Sequence, residues 1–332
     1  MKRILFIISI SMVCFLQSCE EPKEKIEEPK DLESLLDLYP DSIPLLLKHG
    51  NEMIIIRDYV KAMADGAKSY RLDSNNLEAR MLYAEVLNNR PERTLAEVNT
   101  AQKHYHIIVD KQPKNLKALI GLAATYSQQQ DFEASFKYIN QALRINPKYR
   151  DAYVLKGSNY RLLGNVEYTK SSYETAIQQD PTFVEAYVLL GAMYQAEKNP
   201  VCIEYYTTAL ELQKGDMDIT YALAYAKEIF NELEEAKLLY RAMAADTADY
   251  YVARGLFHQG YLKQFNENDL DSAIFFYSSA TTTHPYYLEA WHNLGLCYTD
   301  QGDKTQALQS FAKALKINPE YTLSREAADA LR

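Results

Sequence analysis

No Gly-rich phosphate loop, HExxH, GxSxG or paired CxxC stands anywhere in this chain. Each absence removes a class of chemistry: a backbone cradle for nucleotide phosphates, a helical zinc protease site, a nucleophile elbow, and a thiolate zinc or redox pair. A cationic surplus is missing too. Lys and Arg number 36 against 45 Asp and Glu, a net charge of −9, with no basic block. Such a balance speaks against nucleic acid as a partner. Glycine and proline are sparse at 11 each, and 47% of residues are hydrophobic, so the chain is ordered with an ample core. Beyond the first 18 residues no stretch is apolar enough to span a membrane. With 332 residues, the chain holds two ordinary domains or one elongated repeat array.

What the chain does have is tyrosine, 27 in all, and a 34-residue period. The unit is clearest from Leu288 to Tyr321, LEAWHNLGLCYTDQGDKTQALQSFAKALKINPEY. Ala290, Trp291, Leu294, Gly295 and Tyr298 share one face of a first helix. Gly302 and Asp303 break it. Ala307, Phe311 and Ala314 recur at i, i+4, i+7 on a second helix, which Pro319 closes. Small residues at Gly295 and Ala307 let two helices approach, and the large rings fill the space around them. This run of Trp, Leu-Gly, Tyr, Ala, aromatic, Ala and Pro resembles the tetratricopeptide repeat. The resemblance implies an all-α, right-handed α-solenoid with a concave groove lined by the first helix of each pair.

Measured against that unit, others begin at Ile43, Leu77, Leu116, Arg150, Val184, Met217 and Tyr251, making about eight over 43–321. The second carries about five extra residues near Pro91. The seventh carries about three between Gln264 and Asp269. The unit from Met217 lacks the closing proline, so its register is the weakest. Residues 32–42 read as an N-terminal capping half-repeat, with Leu32, Leu35 and Leu36 on one face. Residues 322–332 read as a capping helix that turns Leu323, Ala327 and Leu331 inward. Solenoids need such caps because their terminal units otherwise expose an apolar face.

The first 18 residues are targeting sequence: Lys2-Arg3, an apolar run from Ile4 to Phe15, then Leu16-Gln17-Ser18-Cys19. This junction resembles the bacterial lipoprotein signal, which implies lipidation at Cys19 after cleavage. Without those residues the charge is −11, from 34 Lys and Arg against 45 Asp and Glu. Residues 19–31, with EEPK twice, form an acidic, Pro-containing tether. Cys14 leaves with the signal. Cys202 and Cys297 lie almost three repeats apart, too far for a disulfide, and replace small residues of the pattern, so both are read as buried, unreactive thiols.

No residue set reads as catalytic. His104 and His106 are two apart on one helix and face different directions, and His292 has no second ligand nearby, so no metal or cofactor is expected. Trp291, a possible sugar-stacking platform, belongs by its place in the repeat to the core. The chain is therefore read as a non-enzymatic protein–protein interaction scaffold. On the unit 288–321 the groove positions are Glu289, His292, Leu296, Thr299 and Asp300. Their equivalents include Glu185, Asp218, Tyr221, Tyr225 and Glu228, then Gln259 and Lys263. Carboxylates outnumber cations there, so the partner is expected to be a neutral or basic protein segment. Anchoring falls to Tyr221 and Tyr225 and steering to Glu185 and Glu228, with Asp218, Glu289 and His292 as further partner-binding positions. The family's well-known carboxylate-binding groove uses Lys, Asn and Arg. The position of His292 holds no Lys in any unit, so that activity is not carried over. The expected location is the envelope of a Gram-negative bacterium, at the outer membrane. The alternatives are a carbohydrate-binding surface lipoprotein of a glycan-uptake system and a regulator of a cell-wall hydrolase.

Overall fold

The structure is a computed structural model that describes residues 31–332. The signal peptide expected over 1–18, the lipidation expected at Cys19 and most of the expected tether fall outside the described residues. Within them, every regular element is a helix: α1 (Leu32–Leu38), α2 (Ile43–Ile55), α3 (Tyr59–Leu72), α4 (Leu77–Asn89), α5 (Leu95–Lys111), α6 (Leu116–Gln128), α7 (Phe132–Ile145), α8 (Arg150–Leu162), α9 (Val166–Gln179), α10 (Val184–Ala196), α11 (Cys202–Leu212), α12 (Met217–Ile229), α13 (Leu233–Ala244), α14 (Asp249–Phe265), α15 (Leu270–Thr283), α16 (Leu288–Asp300), α17 (Lys304–Ile317) and α18 (Thr322–Ala330). From α2 to α17 they run as eight successive helix–turn–helix units between two short end helices. The chain divides into two compact units between His104 and Tyr105, inside α5.

The turn within each pair follows from local chemistry. In seven of the eight pairs, all but α4–α5, one residue enters the left-handed region, as at Gly302 (φ 81°), Gly164 (73°) or Gln130 (63°). This lets the next N–H reach back to a carbonyl five residues earlier, as Asp303 does to Tyr298 at 2.8 Å and Asp131 to Tyr126 at 2.9 Å. The same Asp then caps the second helix, its side chain accepting from the Gln306 or Ala134 N–H at 3.0 Å. Between units, the first helix supports the proline turn that precedes it. Tyr153, Tyr187 and Trp291 donate to the carbonyls of Pro147, Pro181 and Pro285 at 2.9, 3.2 and 2.9 Å. Arg325 does the same to Pro319.

Packing within a pair is set by the small residue facing a ring. A Cβ on Gly295 would lie 2.5 Å from Phe311, and one on Gly157 would lie 2.7 Å from Tyr173. The unit from Met217 keeps the small-residue and ring pattern of the core: Ala224, Ala236, Tyr240 and Met243 occupy the places of Gly295, Ala307, Phe311 and Ala314, each fully buried.

The following unit differs from the sequence expectation. α14 has 17 residues against 13 in α16. Gly260 faces Tyr277 as Gly295 faces Phe311, so this unit counts from Ala253, not Tyr251. α13 ends early at Ala244, and the chain spends the released residues on an extra first turn of α14. At the C-terminus the capping face is rotated. Ser324 and Ala328 are buried against the Phe311 cluster, with Ala327 and Leu331 packed beside them, while Leu323 is exposed. Cys202 and Cys297 are free, buried thiols, and burial pushes Cys297 up to about 12.

Candidate functional site

The second unit contains a cavity of about 910 Å³ between α12, α14 and the α15–α16 turn. Spacing on α12 puts Tyr221, Tyr225 and Glu228 on one face, at i, i+4 and i+7, and all three line the cavity. The two rings stack at 5.9 Å with planes 4° apart. The shifted register of α14 turns Arg254, Phe257, His258, Tyr261 and Phe265 toward the same space, and its additional turn contributes Tyr250. His284, Tyr286 and Tyr287 come from the turn before α16, and Glu289 from its first turn.

The floor is a closed polar network. Glu228 accepts from the Tyr240 hydroxyl at 2.7 Å and pairs with His258 Nδ1 at 3.0 Å. With the proton on Nδ1, His258 Nε2 accepts from Tyr221 Oη at 3.3 Å. His258 also stacks on Tyr240 at 4.6 Å. Burial, reinforced by the Glu228 charge, drives the Tyr240 hydroxyl far above the ordinary phenol range. Burial likewise raises Tyr221 and Tyr287. These hydroxyls are protonated donors throughout the biological pH range.

The walls are different. Arg254 lies over the Tyr221 ring at 3.4 Å and donates to Tyr250 Oη at 2.9 Å. Among the described residues it makes no ion pair with a carboxylate. A half-buried guanidinium held by phenol rings alone keeps donors for a ligand oxygen. The rim is apolar and open: Tyr250 is 51% exposed, Phe265 55% and Tyr286 75%.

Of the residues expected from sequence, the structure brings Tyr221, Tyr225, Glu228 and Glu289 to this cavity. Glu185 and Asp218 are exposed on α10 and α12 and do not line it. His292 is a correction. It is buried, with Nδ1 bonded to Ser324 Oγ at 2.9 Å and its ring beside Phe311 and Tyr321, because α18 covers the face that the groove leaves open elsewhere. Burial lowers its pKa, favouring the neutral ring. Glu228 is also recast: its partners in the floor make it a structural anion. Sequence reasoning missed Arg254, Phe257, Tyr261 and Phe265, naming Gln259 and Lys263 instead, because counting the unit from Tyr251 turned α14 by two residues. The Gly260–Tyr277 pair was the signal that could have set the count. Trp291 is only half-buried; besides its core contacts, it lines a smaller cleft of about 310 Å³.

Two segments, 116–149 and 288–321, match family models described as tetratricopeptide repeat. Human "Tetratricopeptide repeat protein 6" is 29% identical over 210 residues, which is 59% of this chain; the match spans 38% of that relative's length. Among solved structures, a chain of the APC/C hetero-tetramer Cut9–Hcn1 aligns with TM-score 0.53 and 15% identity, covering 90% of this chain and 57% of that one. The human IFIT1 dimer with m7Gppp-AAAA gives 0.54 and 17%, covering 86% and 76%. At these identities the structural likeness establishes the fold alone: an all-α solenoid of tetratricopeptide-type repeats. Such folds present extended surfaces for protein–protein interaction.

Proposed function

We propose that the chain is a non-enzymatic docking scaffold, held to a Gram-negative envelope membrane by lipid at Cys19. In this reading it receives an extended segment of a protein partner in the cavity between α12, α14 and the α15–α16 turn. The observation that carries it is the half-buried Arg254, stacked on Tyr221 and without a carboxylate, inside an aromatic-walled cavity. An aromatic or aliphatic side chain of the partner fills the space between the tyrosines. Arg254 donates to the segment's carbonyl oxygens. Exposed carboxylates around the site, Glu289 among them, favour neutral or basic flanks.

Pull-down from solubilised envelopes with the anchor intact supplies the partner, and surface plasmon resonance then reads the variants. Tyr225→Ala is expected to weaken binding by about 2 kcal/mol, mainly through the off-rate. Arg254→Gln is expected to weaken it about tenfold or more, as the loss of charge-assisted bonds implies. Wild-type affinity in both folded variants would place the partner elsewhere on the chain. The exposed rings of Tyr250, Phe265 and Tyr286 favour a second reading, a carbohydrate ligand. Titration with a glycan panel decides it: saturable binding lost in Tyr225→Ala selects the sugar.

A further inference from the structure

The α2–α3 turn carries three of the most exposed apolar side chains in the described structure. Val60 is 82% exposed, Ile55 79% and Ile56 66%. The helix pattern does not require them: the core of this pair is closed by Ala62, Leu82 and Val86, with Met53, Ile54 and Tyr59 packed against it. Ile55, Ile56 and Val60 project from the end of the pair instead, around Arg57. Val60 also lines a cleft of about 460 Å³, together with Arg57, Asp58, Met63, Arg90, Pro91 and Glu92. Arg90 is already paired with Glu97 and Asp58 caps α3. Arg57 and Glu92, of opposite sign, stand beside the apolar tip, a balance that suits a zwitterionic headgroup layer better than a strongly charged surface.

The chain's own path says what lies against this tip. The described part starts at Asp31, which caps α1, and Glu33 is bonded to Lys61 Nζ at 2.6 Å. Lys61 directly follows Val60, and Glu33 also lies 3.9 Å from His49 Nε2, so the described chain starts against the same helix pair that carries the apolar tip. Cys19 stands twelve residues upstream. Twelve residues reach at most about 40 Å. We propose that the α2–α3 turn rests in the surface of the bilayer that holds the lipid at Cys19, with Ile55, Ile56 and Val60 in its outer acyl region. The inference rests on the lipid-anchor reading. The tether keeps the tip at high local concentration near the membrane, so a small apolar area suffices. The α8–α9 turn, with Leu162 57% and Leu163 51% exposed, offers an internal control without the chain exit.

The test uses the full lipidated chain in phosphatidylcholine proteoliposomes, with Trp291→Phe as background and one indole introduced by Ile56→Trp. Brominated phosphatidylcholine is expected to lower that emission at least twofold, and Ile55→Ser with Val60→Ser to abolish the quenching. The indole introduced by Leu163→Trp should stay unquenched. Protein that sediments with the vesicles but shows no quenching at Ile56→Trp overturns the proposal, because the tip then lies in water or against protein. Equal quenching at Leu163→Trp overturns the role of the chain exit. Protein left in the supernatant overturns the anchor reading, and this inference with it.

Discussion

Buried polar side chains decide much of the behaviour of single residues here, and His104 shows how. It is 8% exposed, its Nδ1 sits 2.9 Å from Arg80 Nη1, and the rings of Tyr70 and Tyr83 cover it. Burial, and then the Arg80 charge, lower its pKa from 6.5 to about 4. The neutral ring accepts from Arg80, and a protonated ring could not. The unfolded chain therefore binds a proton through this residue before the folded protein does. Stability is unaffected above about pH 6.5 and falls as pH drops from there toward 4, by an amount on the order of 2–4 kcal/mol. Urea midpoints for wild type and His104→Gln between pH 7.5 and 4.5 check this: the variant should show a shallower acid slope. Equal slopes would mean that other groups carry the acid sensitivity. Glu228 is a second buried polar side chain, fixed by geometry. Its side chain is 12% exposed and satisfied by Tyr240 and His258, so reversal to Lys would break the cavity floor and leave steering untested.

At the scale of the element, the 34-residue period made most of the fold legible. In the units from Arg150 and Leu288, where a glycine faces a ring and a proline closes the unit, the first helix begins where the period puts it. The unit from Met217 had lost its proline, yet Ala236, Tyr240 and Met243 still hold the core pattern. α14 was not legible in the same way. Its additional turn precedes the motif, and helical periodicity does not reveal which turn is the first. A slip of two residues rotates a helix by roughly 200°, which exchanged Gln259 and Lys263 for Arg254 and Phe257 in the expected groove. The glycine positions give a direct test of the pair geometry. Gly295→Leu should destabilise the last unit by about 1–3 kcal/mol through overpacking against Phe311. Hydrogen exchange should show the loss confined to α15–α18, as nearest-neighbour packing demands. Uniform loss from Ile43 onward would contradict that locality. The turn predicts a gain as well. Gln130 holds φ 63°, a conformation that costs a side-chain-bearing residue about 1–2 kcal/mol. Gln130→Gly removes that strain but adds unfolded-state entropy, leaving a net stabilisation of about 0.5–1 kcal/mol in thermal or urea unfolding.

For the molecule as a whole, the proposed docking role would divide recognition between charge and aromatic surface. The sequence charge is −9, yet the cavity itself is close to balanced. Glu228 is consumed by the floor network, and Arg254 and Glu289 remain with opposite signs. Long-range attraction of a basic segment must then come from carboxylates outside the cavity and at its edge. In the proposed docking, affinity comes from the rings within. The two contributions separate by rate and by salt. Glu289→Lys, and more weakly Asp218→Lys, should lower the on-rate at low ionic strength, with the difference from wild type shrinking as salt shortens the Debye length from about 30 Å at 0.01 M to about 8 Å at 0.15 M. Tyr221→Ala should raise the off-rate with little salt dependence. Both sets of substitutions fall on exposed or half-buried positions, so circular dichroism melts serve as the folding control. If the charge reversals leave the on-rate unchanged at every salt concentration, the acidic surface serves solubility alone. The partner would then be selected by the aromatic cavity and Arg254 without electrostatic steering.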